Sequence, residues 1–171
     1  MKDELKILVY GYGNPGRQDD GLGVLLSEII EKWARENNLN NLQTDSNYQL
    51  NIEDALRVSA FELVIFADAS QEDIDNYAFT PVEPSAKVDF TMHAVSPAFI
   101  INLCHEIYQK PPPAYLLHIR GYKWEFMEEP TPEAFKNLER AALFLKNQIM
   151  EFIKNNRHSF KQPLSIIKSK N

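Results

Sequence analysis

The sequence predicts an α/β three-layer sandwich, a twisted and mostly parallel sheet of about five strands between helices. Two observations carry this. The runs ILVY at 7 to 10 and LVIFA within ELVIFAD at 62 to 68 are continuously apolar, as strands buried on both faces are. Between such runs the apolar period lengthens to that of a helix, and strand and helix patterns alternate along the chain. At 171 residues the chain can bury one substantial core, so one domain is expected over residues 1 to 153, with a basic tail from 154 to 171.

In order, residues 5 to 10 read as a first strand. Leu22, Leu25, Leu26, Ile29, Ile30 and Trp33 recur at helical spacing over about 21 to 36. LQTDSNYQL at 42 to 50 is a second strand and IEDALRV a short helix. ELVIFAD is the third strand, with Asp68 at its C-terminal end. YAFTPVEP, near 77 to 84, carries prolines that only an edge strand tolerates. A loop over 85 to 95 leads to Ser96-Pro97, a helix start whose expected apolar face is Phe99, Ile100, Leu103 and Ile107. AYLLHIRGY is a further strand. Thr131-Pro132 opens a last helix with Leu138, Ala141, Ala142, Leu145, Ile149 and Phe152 on one face.

A net charge of -6 argues against nucleic acid as the main partner, because phosphate contacts need clustered Lys and Arg. No apolar run approaches a membrane span. The single cysteine, Cys104, excludes an internal disulfide framework and a cysteine-based zinc site, and a reducing cytoplasm is the expected location. After Glu151 there is no acid, while Lys154, Arg157, Lys161, Lys168 and Lys170 follow, giving a solvated tail or a docking segment.

The stretch GYGNPGRQDDGLG at 11 to 23 has the glycine spacing of a dinucleotide loop. Yet RQDD separates Gly16 from the helix and puts two negative charges where phosphates need positive potential, and no acid ends strand two. The acids suit a cation instead. In open parallel sheets, sites form at the carboxyl ends of strands. Asp19, Asp20 and Asp68 lie at such ends, and acids that converge there repel each other, a cost that a divalent metal relieves. Of the four histidines, His93 in the loop TMHAVSP is best placed to add an imidazole. His105 lies on a helix, His118 within a strand and His158 in the tail. Each acid also has a plainer reading: Asp19 a helix cap, Asp20 a solvated first-turn acid, Asp68 a strand-end acid closing a turn with Ser70. Cys104 and His105 are adjacent on a helix and so point about 100° apart, which disfavours a nucleophile–base pair.

GYGNPGRQDDGLG, VIFADAS and a loop histidine before the third major helix, in this order and at these separations, resemble the hydrogenase maturation proteases. These endopeptidases trim the C-terminus of the nickel–iron hydrogenase large subunit. The resemblance covers roughly residues 5 to 153. It implies a phosphorylase/hydrolase-like sandwich and a monomer, with Asp20, Asp68 and His93 as metal ligands that recognise nickel already held by the substrate precursor. The cut would use the metal to polarise the scissile carbonyl or activate water, with Asp19 or another acid assisting proton transfer and Asn14 and Asp19 supporting the ligands.

The chain departs from the family at YQLNIEDA, where many relatives carry Asp-Gly-Gly-Thr, and at Asp20, where a Glu is common. GYKWEFMEEPTPEA resembles the branch that serves soluble, cofactor-linked hydrogenases. Two other readings compete. One is a peptidyl-tRNA hydrolase-like esterase, whose first loop also reads GNPG, although here Gln18-Asp19-Asp20-Gly21 replaces its Arg-His-Asn run. The other is a non-catalytic nickel-binding maturation factor.

Overall fold

The computed structural model describes residues 5 to 87 and 95 to 155. Its elements run β1 (Ile7–Tyr12), a single 3-10 turn (Gln18–Gly21), α1 (Leu22–Glu36), β2 (Leu42–Asn47), α2 (Asp54–Val58) and β3 (Leu63–Ser70). After these come β4 (Tyr77–Pro81), α3 (Pro97–Tyr108), β5 (Ala114–Arg120) and α4 (Pro132–Lys154). The sheet order is β2-β1-β3-β5-β4, all pairs parallel except β4 with β5. The five-strand sandwich is as expected, with the proline-bearing β4 at an edge.

Alternation along each strand divides the core. Ile7, Val9, Ile65, Leu117 and Ile119 face the layer of α1 and α4, where Leu26, Ile30, Leu138, Leu145 and Ile149 pack. Leu8, Tyr10, Val64, Phe66 and Ala114 face α2 and α3, where Val58, Ile100, Ile101 and Cys104 pack. All six apolar residues assigned to the face of α4 are buried.

Three expectations are corrected. First, β2 stops at Asn47, short of Leu50, because the chain turns there into α2. Second, β3 continues past Asp68 to Ser70, hydrogen-bonded along β5, so Asp68 is an internal strand residue and does not close a turn. Ser70 takes that part, its Oγ accepting from the Glu72 amide at 3.2 Å. Third, the buried stripe of α3 is Pro97, Ile100, Ile101 and Cys104, and Ile107 is 60% exposed, because the stripe tracks the helix face that meets α2.

Order β2-β1-β3 reverses direction between β1 and β3, which makes their carboxyl ends a topological switch point. Close backbone packing holds α1 over it. A Cβ on Gly23 would run into the carbonyl oxygens of Ala67 and Tyr12, so only glycine lets the first turn of α1 lie against both strands.

Candidate functional site

Leaving β1, the chain turns at Gly13, whose φ of +133° suits glycine alone. Asn14 then organises the loop: its Oδ1 accepts from the Gly16 amide at 2.9 Å and its carbonyl from the Arg17 amide at 3.0 Å. The Asn14 amide donates to Asp20 Oδ2 at 3.0 Å, folding the loop back onto that carboxylate. A Cβ at Gly13 would collide with the Asp20 carbonyl oxygen. Gly13→Ala is therefore expected to destabilise the protein by about 2 to 4 kcal/mol and to displace Asp20, read as a lower melting temperature together with lost activity.

Asp68 approaches from β3. Its half-buried carboxyl accepts hydrogen bonds from the Tyr12 hydroxyl and the Ala69 amide. Burial, then the negative charge of Asp20, push its pKa from 3.8 up to about 7 in spite of those bonds. Burial and Asp68 likewise push the Tyr12 hydroxyl well above its ordinary range.

An acid whose folded pKa is raised contributes stability that is complete below its unfolded value, near 3.8, and is lost as pH rises through about 7. Asp68→Asn is thus expected to raise stability over the parent by about 2 to 4 kcal/mol at pH 8, allowing for solvent at the half-buried carboxyl, and by little at pH 4. Paired melts at the two pH values check this.

Asp19, completely buried, occupies a different position from its neighbour. Its Oδ2 accepts from the amides of Tyr122 (2.7 Å) and Lys123 (3.0 Å) and from Thr131 Oγ1 (2.9 Å), and its Oδ1 from the Thr131 amide (2.7 Å). Around it, Arg17 Nε donates to the Trp124 carbonyl (3.2 Å), the Glu125 amide to Gln18 Oε1 (3.2 Å) and the Met127 amide to the Gly16 carbonyl (2.9 Å). The β5–α4 connection is thereby laced to the Asp20 loop.

The helix-cap reading of Asp19 is corrected, since neither the 3-10 turn nor α1 has a side-chain cap bond. With four donors on its two oxygens, Asp19 is better suited to anchoring than to the proton transfer expected of it. Nothing in the first-loop sequence names its partners, which lie over a hundred residues on.

The remaining candidates separate clearly. His93 and His158 lie outside the described residues. His105 is exposed on α3 beside Glu106. Cys104 is buried, donates to the Ala55 carbonyl at 3.3 Å, and has its thiol pushed up to about 11 by burial, which removes it as a nucleophile. His118 sits in β5 at the register position of Asp68, and its Nε2 pairs with Thr80 Oγ1 at 3.2 Å. Burial lowers its pKa, against the opposing charge of Glu72.

Among the described residues no group of three or more His, Cys, Asp or Glu assembles as a metal cage. What is present is a carboxylate pair whose mutual repulsion a divalent cation would relieve, a donor chemistry that fits such an ion and leaves positions for other ligands. A cleft of about 230 Å³, lined by Gly13, Pro15, Val24, Ser46, Asn47 and Tyr48, opens beside the loop.

No protein-family model and no curated protein matches the chain. Solved structures do. The chain is similar to the [NiFe] hydrogenase maturation protease HycI from Thermococcus kodakarensis KOD1, with a TM-score of 0.67 and 20% identity over 90% of this chain and 96% of that one. It is also similar to the hydrogenase maturating endopeptidase HybD from E. coli, with a TM-score of 0.65 and 17% identity over 86% and 93%. For the hydrogenase 2 maturation peptidase from Thaumarchaeota archaeon SCGC_AB-539-E09 the TM-score is 0.62, with 16% identity over 85% and 98%. At these identities the likeness establishes a shared fold.

Proposed function

We propose that this chain is a hydrogenase maturation endopeptidase. It removes the C-terminal extension of a nickel–iron hydrogenase large-subunit precursor after nickel insertion, recognising the metal through Asp20, Asp68 and His93. The observation that most supports this is the carboxylate pair at the β1/β3 switch point, on a fold shared with proteins of that activity. Nickel belongs to the substrate. When it is bound, it supplies the Lewis acidity that polarises the scissile carbonyl or activates water.

The chain's own residues bind and orient. Asn14 fixes the Asp20 carboxylate and Tyr12 that of Asp68. Asp19 holds the β5–α4 connection against the loop, which sets where Asp20 begins. Because the protein supplies only part of a coordination sphere, the pair binds well only when the precursor supplies the rest, and cleavage is thereby conditional on a filled hydrogenase site. No helix among the described residues is long and apolar enough to cross a membrane, and the proposed setting is a cytoplasmic monomer acting on the precursor.

Incubating the chain with nickel-loaded and nickel-free precursor, then measuring mass, tests the reading. Loss of the C-terminal extension only from the loaded precursor is the expected result. Tight nickel binding by the isolated chain without any cleavage would replace it with a non-catalytic maturation factor.

A further inference from the structure

On the sheet face toward α2 and α3, the rows Leu8–Val64–Ala114 and Tyr10–Phe66–Leu116 are apolar and covered. One row nearer the carboxyl ends the character changes. Tyr12, Asp68 and His118 stand side by side on β1, β3 and β5, and Thr80 of β4 reaches His118 from the edge strand. Alternation puts all four on this one face. A sheet face that turns polar across three neighbouring strands, with Thr80 reaching in from the fourth beside the Asp20–Asp68 carboxylate pair, is built for a ligand and not for packing.

The arrangement within that row is specific. Parallel neighbours lie about 4.8 Å apart, and an extended peptide advances about 3.3 Å per residue, so His118 stands one to two peptide residues from Asp68. A neutral imidazole offers one donor and one acceptor. Nε2 is used by Thr80, and Nδ1 has no hydrogen-bond partner among the described residues.

We propose that His118, held by Thr80, is a substrate-binding residue whose Nδ1 hydrogen-bonds a backbone amide group of the precursor one or two residues from its metal-bound position, aligning the scissile segment over Asp68. This inference rests on the endopeptidase reading above and adds a second contact point, so that the cut is set by peptide direction as well as by metal.

The test is steady-state processing of nickel-loaded precursor by the full chain and three variants. Asparagine places an amide near the position of Nδ1, and glutamine places one near Nε2. His118→Ala and His118→Gln are expected to raise KM about tenfold with kcat within about twofold, while His118→Asn restores KM to within about threefold of the parent. An unchanged KM in His118→Ala overturns the proposal, as does rescue by glutamine and not asparagine, which would mark the residue as one that only braces Thr80. If the alanine variant does not fold, the asparagine and glutamine variants decide by the same contrast. Absence of cleavage by the parent chain overturns the endopeptidase reading and this inference together, whereas parent cleavage with indifferent His118 variants overturns this inference alone.

Discussion

Asp20→Ala, Asp68→Ala and His93→Ala are each expected to lower precursor processing by about a thousandfold or more while far-UV circular dichroism stays that of the parent. The proposed metal contact needs all three ligands at once, so the loss of one leaves the scissile bond unaligned and unpolarised. The effect on stability has the opposite sign for Asp68. Its carboxyl is held in a desolvated place next to a like charge, and removing it relieves that cost at and above neutral pH. An Asp68 variant that melts higher at pH 8 yet no longer processes precursor would identify a group kept for function at the expense of stability. Cleavage retained by all three variants would sink the assignment of the site.

Asp19→Ala is expected to do the reverse, acting first on the fold. Truncation strands three buried or half-buried amides and the Thr131 hydroxyl that now share two carboxylate oxygens. A cost of about 3 to 5 kcal/mol follows, or roughly 10 °C in melting temperature for a domain of this size. Thr131 also caps α4, its Oγ1 accepting from the Ala134 amide at 3.2 Å, so the damage extends to the start of the longest helix. Activity falls as well, because the connection from Tyr122 to Thr131 would no longer brace the loop that carries Asp20. Thermal melts and amide hydrogen exchange over residues 121 to 134 check this, and an Asp19→Ala protein that melts like the parent would refute the anchoring role. Adjacent carboxylates would thus separate cleanly in experiment, one supporting structure and the other function.

Much of this molecule follows from local pattern. The continuous apolar runs of β1 and β3, the helical period of α1 and α4 and the proline at the start of α3 and α4 each reflect short-range chemistry, and they sufficed for the layer order and for a parallel sheet with a proline-marked edge. The acidic loop after β1 and Asp68 on the most apolar strand also pointed to a cation at the carboxyl edge, because unpaired acids near strand ends are costly wherever the chain goes.

Tertiary structure alone decided the rest. That Asp19 is the acid taken up by residues 122 to 131 rests on a pairing across more than a hundred positions that no local pattern records. Asp68 proved internal to β3 because β5 lies alongside it and extends the ladder to Ser70. His118 looked like an ordinary strand residue until strand order set it beside Asp68, since a side chain's neighbours in a sheet are fixed by register between strands and not by spacing along one. Sequence determines what each segment can become and which charges need company, whereas only the closed sheet determines which of them meet.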